Sequence, residues 1–286
     1  MAKIDKKVVE NIAGEQFVDS SCINCDVCRK FAPEIFGNSG QNSYIKKDIK
    51  SEDEWLQFQR ALLSCPVKAI GDQSRRSIAT ARDTLPFKLS DGIYINGFND
   101  RSSFGADSYF LTGTDGNWMV DSPSFNRHLV KKIENLGGIK YIYLSHRDDV
   151  ADCQRYAKHF GAKIIIHQDD SDAVPDAEIV IVGEQDHTIG DSARIIVVPG
   201  HTKGHMLLLW RECYLFTGDH FAWSPSEQRF LAFKDYCWYN WEEQKRSIAK
   251  MISLTDVTHI FPGHGRRGEV GPGEFPAVVK SYLNSL

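Results

Sequence analysis

ARIIVVPGHTKGHMLLLWRECYLFTGDH, residues 193–220, is the stretch on which the fold turns. Three short apolar runs, ARIIVV, MLLLW and CYLF, are split by polar turns, the pattern of buried strands. His201 stands just past the first run and Asp219 just past the third. The arrangement recurs outward along the chain. Asp121 ends WMVD, His146 ends IYLSH and His264 ends HIFPGH. Five strand-to-loop junctions therefore each offer a side chain of the kind that ligates metals. Helical spacing fills the gaps between them. SFNRHLVKKIENLGG places Phe125, Leu129, Ile133 and Leu136 on one face, with Gly137 as the stop. DCQRYAKHFG, WEEQKRSIAKMISL and EFPAVVKSYLNSL read as further helices and KIIIH as a strand. Strands mixed with helices throughout predict sheets covered by helices.

With GHTKGH and FTGDH in this order, residues 88–270 resemble the metallo-β-lactamase fold superfamily, which includes glyoxalase II-like hydrolases, persulfide dioxygenases and flavodiiron proteins. The resemblance implies an αββα sandwich with its site at one edge of two sheets. It implies that Asp121 orients loops, that His146 is the first histidine of an H-x-H-x-D-H frame, and that His201 is the glycine-flanked histidine. Asp219 then matches the bridging aspartate and His264 the last histidine. YLSHRDDVADCQRYAKHFGA, residues 143–162, departs from the frame. Asp148 stands where the family has its second histidine. Val150 and Ala151 stand where it has the aspartate and histidine of the second metal position. The expectation is one divalent metal, iron or zinc, held by His146, His201 and Asp219 with Asp148 as the weakest member. His264 is then left as a catalytic base or substrate hydrogen-bond donor. The competing reading is a decayed site whose His and Asp side chains only tie loops together. His205 and His220 read as structural. FLAFKDYCWYNW, residues 230–241, reads as core under the following helix, or as a pocket wall beside the metal.

The chain has seven cysteines, four of them in its first quarter. The odd number argues against a disulfide scaffold and for metal or cluster ligation in a reducing compartment. Cys22, Cys25 and Cys28 form C-x2-C-x2-C, and a distant Cys65 precedes Pro66. Three thiolates on one tight loop can take three corners of a cubane and the fourth closes it. A zinc knuckle, the alternative, usually pairs two C-x2-C units. Residues 8–71 resemble single-cluster bacterial ferredoxins, which implies one 4Fe-4S cluster on these four cysteines. EQFVD and NSYIKK match the short flanking strands, and Ala32 stands where two-cluster ferredoxins carry another cysteine. Ser51 and Glu54 form a capping box for a helix, with Trp55, Phe58 and Leu62 on one face, that returns Cys65 to the loop.

The fold class expected is α+β: a ferredoxin-like iron–sulfur domain (residues 1–71), a surface linker (72–87) and a metallo-β-lactamase-type sandwich (88–286). A net charge of −4 over 286 residues offers no general nucleic-acid footprint. No apolar stretch is long enough to span a bilayer, so no membrane partner and a cytoplasmic location are expected. The first functional reading is a redox-linked metalloenzyme acting on a small molecule and served by an electron-donor protein. The alternatives are a mononuclear metal-dependent ester or thioester hydrolase with a structural or regulatory cluster, and an electron-transfer or interaction protein with a decayed metal site.

Overall fold

The computed structural model describes all 286 residues. It mixes helices and strands along the whole chain, as expected for α+β. It parts into two compact units, residues 1–110 with 123–136, and residues 111–122 with 137–286.

In the first unit a small core of Val18, Ile35, Phe36, Ile45, Phe58 and Ile70 sits among short hairpins. Gln16–Val18 pairs antiparallel with Ile70–Asp72, and Phe36–Asn38 with Ser43–Ile45. The helix Glu52–Ser64 opens on the expected capping box: Glu54 N donates to Ser51 Oγ, and Ser51 N donates to Glu54 Oε2, both at 3.2 Å. Such a cap stabilises a helix by about 1 kcal/mol. Its apolar face enters the core through Phe58, which stacks on Phe36 with ring centroids 5.9 Å apart. The helix ends at Ser64, which delivers Cys65 to the cysteine loop.

Residues 72–87, expected as a surface linker, carry structure of their own. Asp72 closes a strand, Ala79–Asp83 is helical and Phe87 opens the hairpin strand Phe87–Ser90. Gln59 Nε2 donates to Ser77 O at 3.0 Å, and the Arg60 guanidinium donates to Thr84 Oγ1 at 2.8 Å. That guanidinium also lies 4.3 Å above the Phe87 ring. The helix Glu52–Ser64 thus holds the following segment against itself, and the compact unit runs on past residue 88. A change in hydrophobic pattern marks where new elements begin, not what they pack on.

The second unit contains a parallel set of strands, Trp118–Val120, Tyr141–Tyr143, Lys163–His167 and Ile179–Ile181, each paired with the next. A six-stranded sheet follows in the order His187–Ile189, Ala193–Val197, Met206–Trp210, Tyr214–Gly218, His259–Pro262, Gly268–Glu269. The three runs of residues 193–220 are its centre, and Met206–Trp210 is buried along its whole length. Each fully buried Leu or Ile there contributes about 1.5–3 kcal/mol. Trp118 of the first sheet meets Trp210 of the second edge-on, 5.8 Å between centroids. Ile248 of helix Trp241–Lys250 and Val279 of helix Phe275–Leu283 pack on Leu207, Leu215 and Ile260 of the six-stranded sheet. No helix is long and apolar enough to cross a membrane.

Candidate functional site

The strand ends of the second unit converge. His146, His201 and Asp219 each offer a ligand atom, and these atoms lie within 4.8 Å of one another. Asp148 lies beside them. Its Oδ2 lies 3.8 Å from His146 Nε2 and 3.8 Å from His201 Nε2. Asp219 Oδ2 lies 3.9 Å and 3.7 Å from the same two nitrogens. A tetrahedral site with bonds of about 2.1 Å has edges of about 3.4 Å, close to each of these four separations, while Asp148 stays outside the group whose ligand atoms all lie within 4.8 Å of one another. The Nε2 atoms of His146 and His201 are buried and have no hydrogen-bond partner. That is the state of imidazoles arranged to coordinate something else.

The protonation states suit that role. Burial holds the His146 imidazole neutral well below its usual range, with His201 and His205 adding to the effect. Burial also lowers His201, against the pull of Asp219 and Asp148. Burial alone would raise the Asp219 carboxyl, but His264, by its charge and hydrogen bond, holds it well below the usual carboxylate range. Neutral imidazoles and an ionised carboxylate are the forms that bind metal. Orientation comes from behind the site. Ser145 Oγ lies 2.9 Å from His146 Nδ1 and donates to Asp121 Oδ2 at 3.0 Å, and Ser145 N donates to Asp121 Oδ1 at 2.7 Å. This fixes which nitrogen of His146 faces the site. Asp121 therefore orients a loop, as the resemblance implied.

Beside this group the structure brings in a carboxylate that the sequence reading did not single out. Asp149, Asp219 and His264 form another group whose candidate ligand atoms lie within 4.8 Å of one another. Asp149 is 1% exposed. The turn after His146 points Asp149 inward and leaves Val150 half-buried, so the carboxylate arrives one residue earlier than in the H-x-H-x-D-H frame. Gly263 makes room for it: a Cβ there would lie 2.8 Å from Asp149 Oδ2 and 2.9 Å from Asp219 Oδ1. His264 N donates to Asp219 Oδ1 at 3.0 Å, and His264 Nδ1 lies 2.8 Å from Asp219 Oδ2. His264 thus stands in a group of candidate ligands that shares Asp219.

One further residue escapes the sequence reading. Asp170, 1% exposed, accepts from Thr202 Oγ1 (2.6 Å), Gly204 N (3.2 Å) and Arg147 N (3.2 Å). One buried carboxylate so ties the loop after His201 to the turn after His146. Asp170→Ala should lower metal affinity about 10–100-fold, the range for residues that orient ligands, as read by competition with a chromophoric chelator. Unchanged affinity would make Asp170 a packing residue only. Residues 230–241 divide by burial. Phe230 and Leu231 are core, as the favoured reading of residues 230–241 expected. Tyr236, Trp238 and Tyr239 instead stand exposed. The amides of Trp238 and Tyr239 donate to His201 O at 2.9 and 3.0 Å, and the Trp238 ring lies 6.4 Å from the His201 ring. His205, as expected, is structural: it is buried, Nε2 bonds Thr217 O at 3.0 Å, and burial lowers its pKa to about 3. His220 is likewise fully buried.

In the first unit Cys22, Cys25, Cys28 and Cys65 line one small cavity with Val18, Val27 and Ile70. All four are free thiols. Asn24 N and Ser43 N donate to Cys22 Sγ, both at 3.4 Å, and Ala69 N donates to Cys65 Sγ at 3.3 Å. Burial pushes the Cys25 thiol up to about 11, against an opposing hydrogen bond from Val27. Four thiols gathered in an apolar cradle, with backbone N–H groups aimed at the sulfurs, fit an iron–sulfur cluster. Cys153, Cys213 and Cys237 lie outside this cavity.

Residues 18–72 match the 4Fe-4S single cluster domain of Ferredoxin I. A hydroxyacylglutathione hydrolase of Pelagibacter ubique is 29% identical over 51% of this chain and 60% of its own length. One of Shewanella pealeana is 29% identical over 63% of this chain and 65% of its own length. The chain thus spans less than two thirds of these relatives. Among solved structures, the DIM-1 metallo-β-lactamase superposes with a TM-score of 0.53 at 16% identity, over 69% of this chain and 95% of that one. The metallo-β-lactamase family protein TTHA1429 of Thermus thermophilus gives 0.50 at 16% identity, over 68% and 79%. The cysteine frame and the convergent strand ends therefore belong to a chain that joins a single-cluster 4Fe-4S ferredoxin domain to a domain of the metallo-β-lactamase fold.

Proposed function

We propose that the second unit is a metal-dependent hydrolase of a small ester or thioester, with two adjoining metal positions. His146, Asp148, His201 and Asp219 would hold the first, and Asp149, Asp219 and His264 the second. The observation that carries this reading is the sharing of Asp219 by two ligand groups, the layout of a two-metal hydrolytic centre. Bound divalent metals would polarise an acyl oxygen and make a water acidic enough to attack at neutral pH. The chain's own residues set the conditions. Asp219 stays ionised between three imidazoles. Ser145 and Asp121 fix His146, and Asp170 fixes the loops of His146 and His201. Trp238 and Tyr239 form an aromatic lip beside His201 suited to the apolar part of an acyl group. The hydroxyacylglutathione hydrolase relatives support a thioester as the substrate class. The cleaved bond would be the acyl C–S bond, with hydroxyl going to carbon and a proton to the leaving thiol.

The test is thiol release from a hydroxyacylglutathione thioester by metal-loaded protein. Release should be lost on chelation and in His201→Ala. Release that survives both would contradict the reading. The 4Fe-4S match over residues 18–72 favours a second reading, an oxidoreductase in which the cluster passes electrons to the metal centre. Reoxidation by dioxygen of the dithionite-reduced cluster, much faster with the metal centre loaded and without thioester hydrolysis, would select it.

A further inference from the structure

The loop Asn96–Asp107 runs directly against the cysteine cavity of the first unit. Gly105 has φ +84°, and a Cβ there would lie 3.0 Å from both Cys25 Sγ and Pro66 Cγ. Glycine lets the backbone come this close to the sulfur. The loop is tied down. Asn99 Nδ2 donates to Gly105 O (3.0 Å), Ala106 O (2.8 Å) and Asp107 Oδ1 (3.1 Å), and Gly105 N donates to Asp100 O (2.9 Å). Beyond Gly105, Asp107 meets Lys30, two residues past Cys28. Lys30 Nζ and Asp107 Oδ2 are 2.8 Å apart, with side chains 2% and 0% exposed.

A buried ion pair is a weak way to stabilise a fold, because the cost of desolvating both charges offsets their attraction. An apolar pair of similar volume often does as well. The two segments share one other feature, which is their position at the cysteines. Lys30 follows Cys28 by two residues, and Asp107 follows by two residues the glycine that rests on the Cys25 sulfur. In a dry site a fixed charge acts strongly. The potential of an iron–sulfur cluster responds to local charge, hydrogen bonds to sulfur and solvent exposure.

We propose that Lys30 and Asp107 set the reduction potential of the cluster as a buried charge couple, with Gly105 closing its Cys25 face to water. The proposal rests on Cys22, Cys25, Cys28 and Cys65 holding a 4Fe-4S cluster. Reduction places one electron from the reductant on the cluster and moves no proton. The ammonium favours the reduced state and the carboxylate opposes it. Both are positioning residues that act through the field at the sulfurs.

The experiment is an anaerobic dithionite titration of the full-length protein, followed by absorption and electron paramagnetic resonance. Asp107→Asn should favour reduction about tenfold, a positive shift of about 59 mV for one electron. Lys30→Met should disfavour it by a similar factor. The double variant Lys30→Met/Asp107→Leu should return close to wild type. Shifts of one sign in both single variants, or no shift in either, would overturn the proposal. So would loss of the cluster from all three, since the pair would then hold the fold and not the potential. Iron content tests the underlying reading separately: wild-type protein without four irons on these cysteines overturns the cluster assignment and this proposal with it.

Discussion

Asp219→Ala is expected to empty both metal positions at once and to abolish thioester hydrolysis. Asp219 is the one residue common to the two ligand groups. It also accepts from the His264 backbone at 3.0 Å, so its removal frees the turn that carries His264. Loss of an orienting partner typically costs 10–100-fold in metal affinity, and loss of a shared ligand should cost more than about 100-fold. Asp219→Asn keeps the shape and removes the charge, and it separates a collapsed site from an uncharged one. Both variants should retain the far-ultraviolet circular dichroism of wild type, because the strand Tyr214–Gly218 is packed on both sides by other strands. Elemental analysis and thiol release read the result. An Asp219→Ala protein that still carries its full metal complement would refute the shared-ligand account.

Cys65→Ser is expected to cost the protein its four-iron cluster, with the brown absorption lost or reduced to a three-iron spectrum. Cys65 is the only one of the four cysteines that comes from outside the loop of residues 22–28, and it arrives by way of the helix Glu52–Ser64. A serine hydroxyl is a far poorer ligand than a thiolate for a soft iron–sulfur unit. Cys153→Ser, Cys213→Ser and Cys237→Ser should leave the spectrum unchanged. Anaerobic purification and iron determination decide it. A full four-iron cluster in Cys65→Ser would mean that the cysteine frame has been misread.

Much of this is legible in the residues themselves. Buried strands declare themselves as short apolar runs, so ARIIVV, MLLLW and CYLF and the polar residues at their ends can be placed from pattern alone. The Ser51–Glu54 capping box and the helix behind Cys65 rest on local chemistry and form as expected. What is not legible depends on the direction of a side chain at one turn. The H-x-H-x-D-H frame, laid over His146 to Ala151, puts Val150 where the second position has its own aspartate. The chain turns so that Asp149 enters the site and Val150 does not. The doubled aspartate in HRDD is the available signal. Asp170 is hidden for a different reason: it belongs to a surface-looking run, QDDSDA, and only tertiary packing shows that one carboxylate of that run is buried. Residues 230–241 divide into a buried and an exposed half, because composition counts aromatics without saying which half faces the core. The packing of residues 77–107 on the cysteine domain is equally invisible, since it depends on long-range bonds such as Arg60 to Thr84 and Lys30 to Asp107.

The central claim is that two metal positions share Asp219 and that Asp149 supplies the carboxylate of the second. The direct measurement is metal content beyond the four cluster irons in protein loaded with a single divalent metal such as zinc, for wild type and Asp149→Ala side by side. The account predicts two per chain in wild type and one in Asp149→Ala, with the first position intact. One per chain in both proteins would contradict it and restore the single-metal site expected from the H-x-H-x-D-H frame.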